Sequence, residues 1–428
     1  MEITIKSGGS LRGELRVPSD KSISHRTIIL GALAQGRSSI RNFLRAEDTL
    51  STIRCIRALG VAVEDSGEVI EVQGVGLKGL REPADVLDCG NSGTTMRLLS
   101  GLVAGYPFLS ILTGDDSLRN RPMARVARPL ILMGATVEGR KNGSYAPLAV
   151  RGGQSRGIEY RLPVASAQVK SAILLAGLNI EGETKVVEPA ASRDHTERML
   201  KAMGANLRIE SKGIRITGGK ELEPQEFTVP GDISSAAFFL VGASLVPGSE
   251  VILREVGINP SRAGIIEVLR QMGASIQVEN ERVVSGELVA DLVVKSAPLK
   301  GIKIQGERIP SLIDEIPVLA VAMAVAEGES SVEDAHELRV KETDRIKAVC
   351  ANLKALGAQV EETADGFRIR GSEMLKGGEV DSFGDHRLAM AMGIAGLITQ
   401  EGISLNRAEA VSISYPNFWE DLELLAGR

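Results

Sequence analysis

Cations stand in this sequence where helix physics disfavours them. Six short polar segments each open an apolar run: PSDKSISHR (18–26), CGNSGTTMR (89–97), PVASAQVKS (163–171), PGDISSAA (230–237), PSLIDEIP (310–317) and FGDHRLAM (383–390). Lys21, Arg26, Arg97 and Arg387 fall in or beside the first turns that these segments predict. The helix dipole makes that end partly positive, so a design for stability alone would place carboxylates there. Ser, Thr, Asn and Asp are ordinary N-caps, and capping is the expectation for Asp232, Ser234 and Ser235. Capping does not account for the cations. Unused backbone N–H groups beside Lys and Arg make sites for phosphate or carboxylate groups. The run Asn91-Ser92-Gly93-Thr94-Thr95 suits such a site, because a glycine lets the backbone come close to an anion.

Two further segments add charge, GDDSLRNRP (114–122) and ELRVKETDR (337–345). On a continuous helix Lys341 and Arg345 would be four residues apart, a like-charge pair that is destabilising unless an anion or carboxylate lies between them. Glu342 and Asp344 are the nearest candidates. The chain has four histidines, His25, His195, His336 and His386, and none shows the spacing of a metal motif such as HExxH. They are expected to cap or support. Cys55, Cys89 and Cys350 are too scattered for a disulfide framework or a zinc site, which fits a reducing, cytoplasmic setting.

The elements that must position these residues recur. An apolar segment ending in a small polar turn appears six times, closed by Gly36, Gly105, Gly182, Gly248, Gly328 and Gly402, at a spacing of about seventy residues. A second pattern, helix into glycine into strand, appears five times, at Gly60, Gly134, Gly204, Gly273 and Gly357. Each repeat therefore holds two helices and several strands. The first helix is apolar almost all round, as in 27–34, 168–178, 235–245 and 316–326, and is expected to be buried on every side. The second, as in 196–203 and 343–356, carries charge on one face. Six repeats form either one ring or two groups of three.

Composition sets the outer limits. With 428 residues, 43% hydrophobic and 25% charged, the chain reads as a folded protein of more than one domain. A net charge of -5 and 3% aromatics argue against nucleic-acid partners, which need a basic face and stacking platforms. The longest apolar stretch, 316–326, is too short to span a bilayer, and 1–21 has no apolar signal core.

Taken in order along the chain, PSDKSISHR, GNSGTTMR, Arg121-Pro122, SAQVKSA, SRDHTE, IDEIP, LRVKETDR and GDHR resemble the 5-enolpyruvylshikimate-3-phosphate (EPSP) synthase family. The resemblance implies an α/β fold of two similar domains, each of three βαβαββ repeats, an inverse α/β barrel with the active site in the inter-domain cleft. It implies a discontinuous domain of residues 1–19 plus 231–428, carrying phosphoenolpyruvate contacts and the catalytic Asp and Glu, and a domain of 20–230 that binds shikimate 3-phosphate. By the same resemblance, Lys21, Ser22, Arg26, Ser166, Ala167, Gln168, Ser192, Arg193, Asp314 and Lys341 hold shikimate 3-phosphate. Lys21, Asn91, Gly93, Thr94, Arg121, Gln168, Glu342, Arg345, Asp385 and Arg387 hold phosphoenolpyruvate. Asp314, Glu342, Lys21 and Lys341 are implied as catalytic: Asp314 accepts the 5-hydroxyl proton, and Glu342 with Lys341 serves the methylene carbon.

That chemistry asks for an acid, a base and a set of cations, so no metal or organic cofactor is expected. The expected partners are the two small substrates, with no nucleic acid or membrane, and the chain is expected to act as a monomer. Some family members carry Lys where this chain has Ile413, and a second Ser where Ala167 stands. The neighbouring family, UDP-N-acetylglucosamine enolpyruvyl transferase, often has a loop Cys before the Arg-Pro pair, where this chain has Gly114-Asp115-Asp116-Ser117. Gly93 leaves room for the phosphoenolpyruvate-like inhibitor glyphosate, so sensitivity is expected.

Overall fold

The computed structural model describes residues 1–153, 155–211, 213–372 and 374–427. Chain contacts divide it into two compact units: Met1–Pro18 with Pro230–Val283 and Leu288–Arg428 form the first, and Ser19–Val229 with Val284–Glu287 the second.

The repeat has one layout. A strand leads to a buried helix and then to a second strand parallel to the first; an amphipathic helix follows, and an antiparallel hairpin completes a four-stranded sheet. In the repeat around residue 170, Glu159–Arg161 pairs parallel with Glu183–Val187, and Gly213–Thr217 runs antiparallel between Glu183–Val187 and Asn206–Glu210. Helix Ala167–Leu178 joins the parallel pair and His195–Ala202 precedes the hairpin. The same order recurs in four other sheets.

The buried helices form the heart of each unit. In the first unit Ile233–Leu245, Ile316–Val325 and His386–Leu397 pack on one another; in the second, Gly93–Val103 packs on both Lys21–Leu33 and Ala167–Leu178. Their side chains are apolar all round because sheets and sister helices cover every face. Small residues set the spacing: a Cβ on Gly101 would lie 2.2 Å from the Ala172 carbonyl oxygen, so these two helices approach backbone to backbone. The second helices keep one wet face, as in Gly264–Met272, which buries Ile265, Ile266, Val268, Leu269 and Met272.

Sequence order and spatial order part company in three places. The opening strand of the repeat built on Lys21–Leu33 is not the residues just before it but Glu226–Thr228, parallel to Gln35–Arg41. The repeat built on Ile233–Leu245 takes Arg12–Leu15, parallel to Glu250–Gly257. Among the described residues the last repeat has no hairpin, in keeping with a helix-glycine-strand pattern that occurs five times and not six. Its sheet has three strands, with Glu2–Ile5 antiparallel to Ile403–Asn406. Among the described residues no helix is long and apolar enough to cross a membrane.

Candidate active site

The buried helices begin earlier than hydrophobicity alone suggests, at Lys21, Ala167 and Ile233, so the polar segments supply their first turns and caps. Asp20, Ser92, Ser166, Asp232 and Asp385 are the N-caps, each accepting a backbone N–H through its side chain. Ser234 departs from the capping expectation. It donates to Glu315 and accepts from Arg262 at 2.8 Å, so its hydroxyl ties three segments of the first unit together.

In the second unit the helix starts carry cations that hydroxyls, amides and carbonyls help to orient. Arg26 donates to Thr196 Oγ1 at 2.6 Å, to Ser171 Oγ at 2.9 Å and to the Ser22 carbonyl at 2.9 Å. Arg97 donates to Gln168 Oε1 at 2.7 Å, and Gln168 Nε2 donates to Thr94 Oγ1 at 2.9 Å. Arg121 donates to Asn91 Oδ1 at 2.7 Å and to Ser117 Oγ at 3.2 Å. Lys21 Nζ lies 3.0 Å from Asp48 Oδ2. Gly93 is the first residue of its helix, and a Cβ there would lie 2.7 Å from Arg97 Nη1 and 3.4 Å from Arg121 Nη1. The glycine therefore keeps space open between two guanidiniums.

His25 lies behind this layer, fully buried, with Nδ1 2.7 Å from Thr52 Oγ1; Thr52 in turn meets Thr95 at 2.7 Å. Burial, with Lys21 and Arg26 nearby, pushes its pKa well below the ordinary value. The imidazole is neutral and acts as a link among three helices.

The first unit builds a different cluster on one arginine. Arg345, the first residue of helix Arg345–Ala355, is fully buried. Its Nε donates to Asp385 Oδ2 at 2.7 Å, Nη2 to Glu342 Oε2 at 2.7 Å and Nη1 to Asp314 Oδ1 at 3.3 Å. Burial would lower the Arg345 pKa, but Asp385, Glu342 and Asp314 together raise it above the ordinary arginine value, so the guanidinium stays charged. Asp314 also meets Lys341 Nζ at 3.7 Å and Arg387 Nη2 at 3.6 Å. Three cations and three carboxylates therefore interlock.

Lys341 and Arg345 do not share a helix. A 3₁₀ turn, His336–Val340, ends before Lys341, and the α-helix starts only at Arg345 with Asp344 as its cap. Both cations reach the same carboxylate because the chain bends between them. Glu342 is the partner of Arg345, whereas Asp344 pairs with Arg339 at 2.8 Å.

The residues singled out from sequence thus fall into two sets. Lys21, Ser22, Arg26, Asn91, Gly93, Thr94, Arg121, Ser166, Ala167, Gln168, Ser192 and Arg193 lie in the second unit; Asp314, Lys341, Glu342, Arg345, Asp385 and Arg387 lie in the first. Sequence reasoning missed Asp48 as the partner of Lys21 and Arg97 as the group that orients Gln168. The pairs stand 27 and 71 residues apart, and no local pattern connects them. Among the described residues no group of His, Cys, Asp and Glu is arranged to hold a metal ion.

The fold is that of the enolpyruvyl transferases: the crystal structure of the enolpyruvyl transferase NikO from Streptomyces tendae superposes with a TM-score of 0.80 at 19% identity, covering 99% of this chain and 96% of that one. EPSP synthase from Acinetobacter baumannii superposes with a TM-score of 0.88 at 46% identity, over 99% and 98% of the two chains. A 3-phosphoshikimate 1-carboxyvinyltransferase of Syntrophomonas wolfei is 56% identical over 416 residues, 97% of each chain, and that of Geobacter metallireducens is 54% identical over 425 residues, 99% of each. The model of the family EPSP synthase (3-phosphoshikimate 1-carboxyvinyltransferase) matches residues 5–422. The chain belongs to the EPSP synthase family.

Proposed function

We propose that this chain transfers the enolpyruvyl group of phosphoenolpyruvate to the 5-hydroxyl of shikimate 3-phosphate and releases phosphate, the step of the shikimate pathway that leads toward chorismate and the aromatic amino acids. The observation that carries the reading is the cluster in which Arg345 holds Asp314, Glu342 and Asp385. The reading is supported by two candidate proton carriers, Asp314 and Glu342, standing in that cluster beside Lys341, Arg345 and Arg387.

Asp314 and Lys341 contact the acceptor's hydroxyls, and Asp314 takes the 5-hydroxyl proton as the oxygen bonds to C2 of phosphoenolpyruvate. Glu342, with Lys341, delivers a proton to C3. The product of addition is a tetrahedral intermediate that retains its phosphate. Loss of a C3 proton back to the same pair re-forms the double bond as the C2–O bond to phosphate breaks. Lys21, Arg121, Arg345 and Arg387 offset the charge on the phosphate and carboxylate, with Asn91, Gly93, Thr94, Gln168 and Asp385 shaping that pocket. Ser22, Arg26, Ser166, Ala167, Gln168, Ser192 and Arg193 hold the acceptor's 3-phosphate. Acid, base and fixed charge suffice for each step.

The reaction is assigned to the cytoplasm, in keeping with three buried free thiols, Cys55, Cys89 and Cys350, and to a monomer. Phosphate release by the purified protein tests the assignment. Release with phosphoenolpyruvate plus shikimate 3-phosphate, in excess chelator and with neither substrate alone, is the expected result. Release only with UDP-N-acetylglucosamine as acceptor would move the chain to the neighbouring activity, and a dimer at assay concentration in sedimentation would overturn the monomer.

A further inference from the structure

A lysine outside both clusters is buried as completely as any charge in the second unit. Lys170 sits one turn into helix Ala167–Leu178 with 1% of its side chain exposed. Its three donors are met by Glu197 Oε1 at 2.7 Å, Glu188 Oε2 at 2.9 Å and the Ser192 carbonyl at 3.3 Å. Glu197 is 2% exposed and Glu188 10%.

Stability does not explain the arrangement. A buried ion triad is often matched or bettered by apolar residues of similar volume, and a cation near a helix N-terminus works against the dipole. Two carboxylates around one ammonium also leave excess negative charge, and burial raises the Glu197 pKa against the opposing pull of Lys170.

The pattern makes sense through Ser192. Its hydroxyl donates to the other oxygen of Glu188, Oε1. A serine has one proton to give. A phosphate, which only accepts, must take that proton away from Glu188. The same helix presents Ser166, Ala167 and Gln168 at its start, and the residues beside Lys170 and Glu197, namely Ser171 and Thr196, receive Arg26.

We propose that Lys170 is a positioning residue for the acceptor's phosphate group: by neutralising Glu188 and Glu197 and pinning the Ser192 backbone, it weakens the hold of Glu188 on the Ser192 hydroxyl, so that this hydroxyl can turn to the phosphate, and it keeps two buried carboxylates from repelling that phosphate. This rests on the reading that Ser192 and its neighbours hold the 3-phosphate. A residue that merely stabilised the fold would affect phosphorylated and unphosphorylated acceptors alike, whereas Lys170 acts on the phosphate alone.

The test is calorimetric binding of shikimate 3-phosphate and of shikimate to the wild-type chain and its variants, with kcat, both KM values and thermal midpoint measured in parallel. In Lys170→Met the preference for the phosphorylated acceptor falls about tenfold, the scale of one charge-assisted hydrogen bond, while the Kd for shikimate and the KM for phosphoenolpyruvate hold. Lys170→Arg restores most of the preference, and Glu197→Gln restores part of it in the Met background. Should Lys170→Met not fold, Lys170→Gln, which keeps a donor and drops the charge, carries the same expectation. A wild-type protein that binds both acceptors equally overturns the phosphate-site reading itself. A wild type with the preference and variants that keep it, or that weaken both acceptors together, overturns the role of Lys170.

Discussion

The two clusters use the same residue types in opposite ways. In the second unit, guanidiniums rest on hydroxyls, amides and carbonyls: Arg26 on Thr196, Ser171 and Ser22, Arg97 on Gln168, Arg121 on Asn91 and Ser117. Neutral partners orient a guanidinium without themselves adding negative charge. In the first unit Arg345 is surrounded by Asp314, Glu342 and Asp385, and Asp314 by Lys341, Arg345 and Arg387. A carboxylate that gains or loses a proton there does so beside cations that steady its charged form. The two sets thus differ less in their residues than in what faces each cation.

The comparison can be broken hardest at Asp314. Asp314→Asn removes the proposed base while keeping shape, so kcat should fall by about 10²–10⁴, with shikimate 3-phosphate binding close to wild type, in steady-state kinetics beside calorimetry. Loss of binding with normal turnover would contradict the role. Arg345→Met leaves three carboxylates without their shared cation and should cost about 3–5 kcal/mol of stability in denaturant unfolding; a change below about 1 kcal/mol would mean that the cluster is not coupled as described.

Arg26→Lys sharpens the contrast at the neutral side. Lysine keeps the charge and loses the fork, so KM for shikimate 3-phosphate should rise about tenfold with little change in kcat. Gly93→Ala tests the space between Arg97 and Arg121. The clashing atom is the end of a flexible side chain, so KM for phosphoenolpyruvate should rise by about three- to tenfold, roughly 1 kcal/mol of crowding, while glyphosate, which is expected to inhibit the wild type, should lose most of its effect. Full wild-type activity in saturating glyphosate would refute the expected sensitivity. Smallest is Ser166→Ala, which removes a 3.5 Å cap and should cost about 0.5 kcal/mol, read from the thermal midpoint.

Much of the site was legible because helix starts announce themselves chemically. A capping residue, a glycine and an out-of-place cation lie within a few residues of one another, so 18–26 and 89–97 could be read as anion-binding before any fold was known. The segment 337–345 was harder. Its charges suggested one helix, but the break between Val340 and Arg345 depends on Asp344 capping the second helix and on Asp314 drawing Lys341 and Arg345 together. Asp344 is near both cations, but Asp314 is close in sequence to neither.

Sequence by itself determined the six-fold repeat, the buried character of its first helices and the identity of the charged groups, because periodicity, glycine stops and caps act over a few residues. Only the tertiary structure decided which strand closes each sheet, that Asp48 holds Lys21, that Lys170 is shared by Glu188 and Glu197, and that one guanidinium holds three carboxylates. Most of those outcomes join residues tens to hundreds of positions apart, and they are set by packing and charge in a dry interior, which local sequence pattern does not encode.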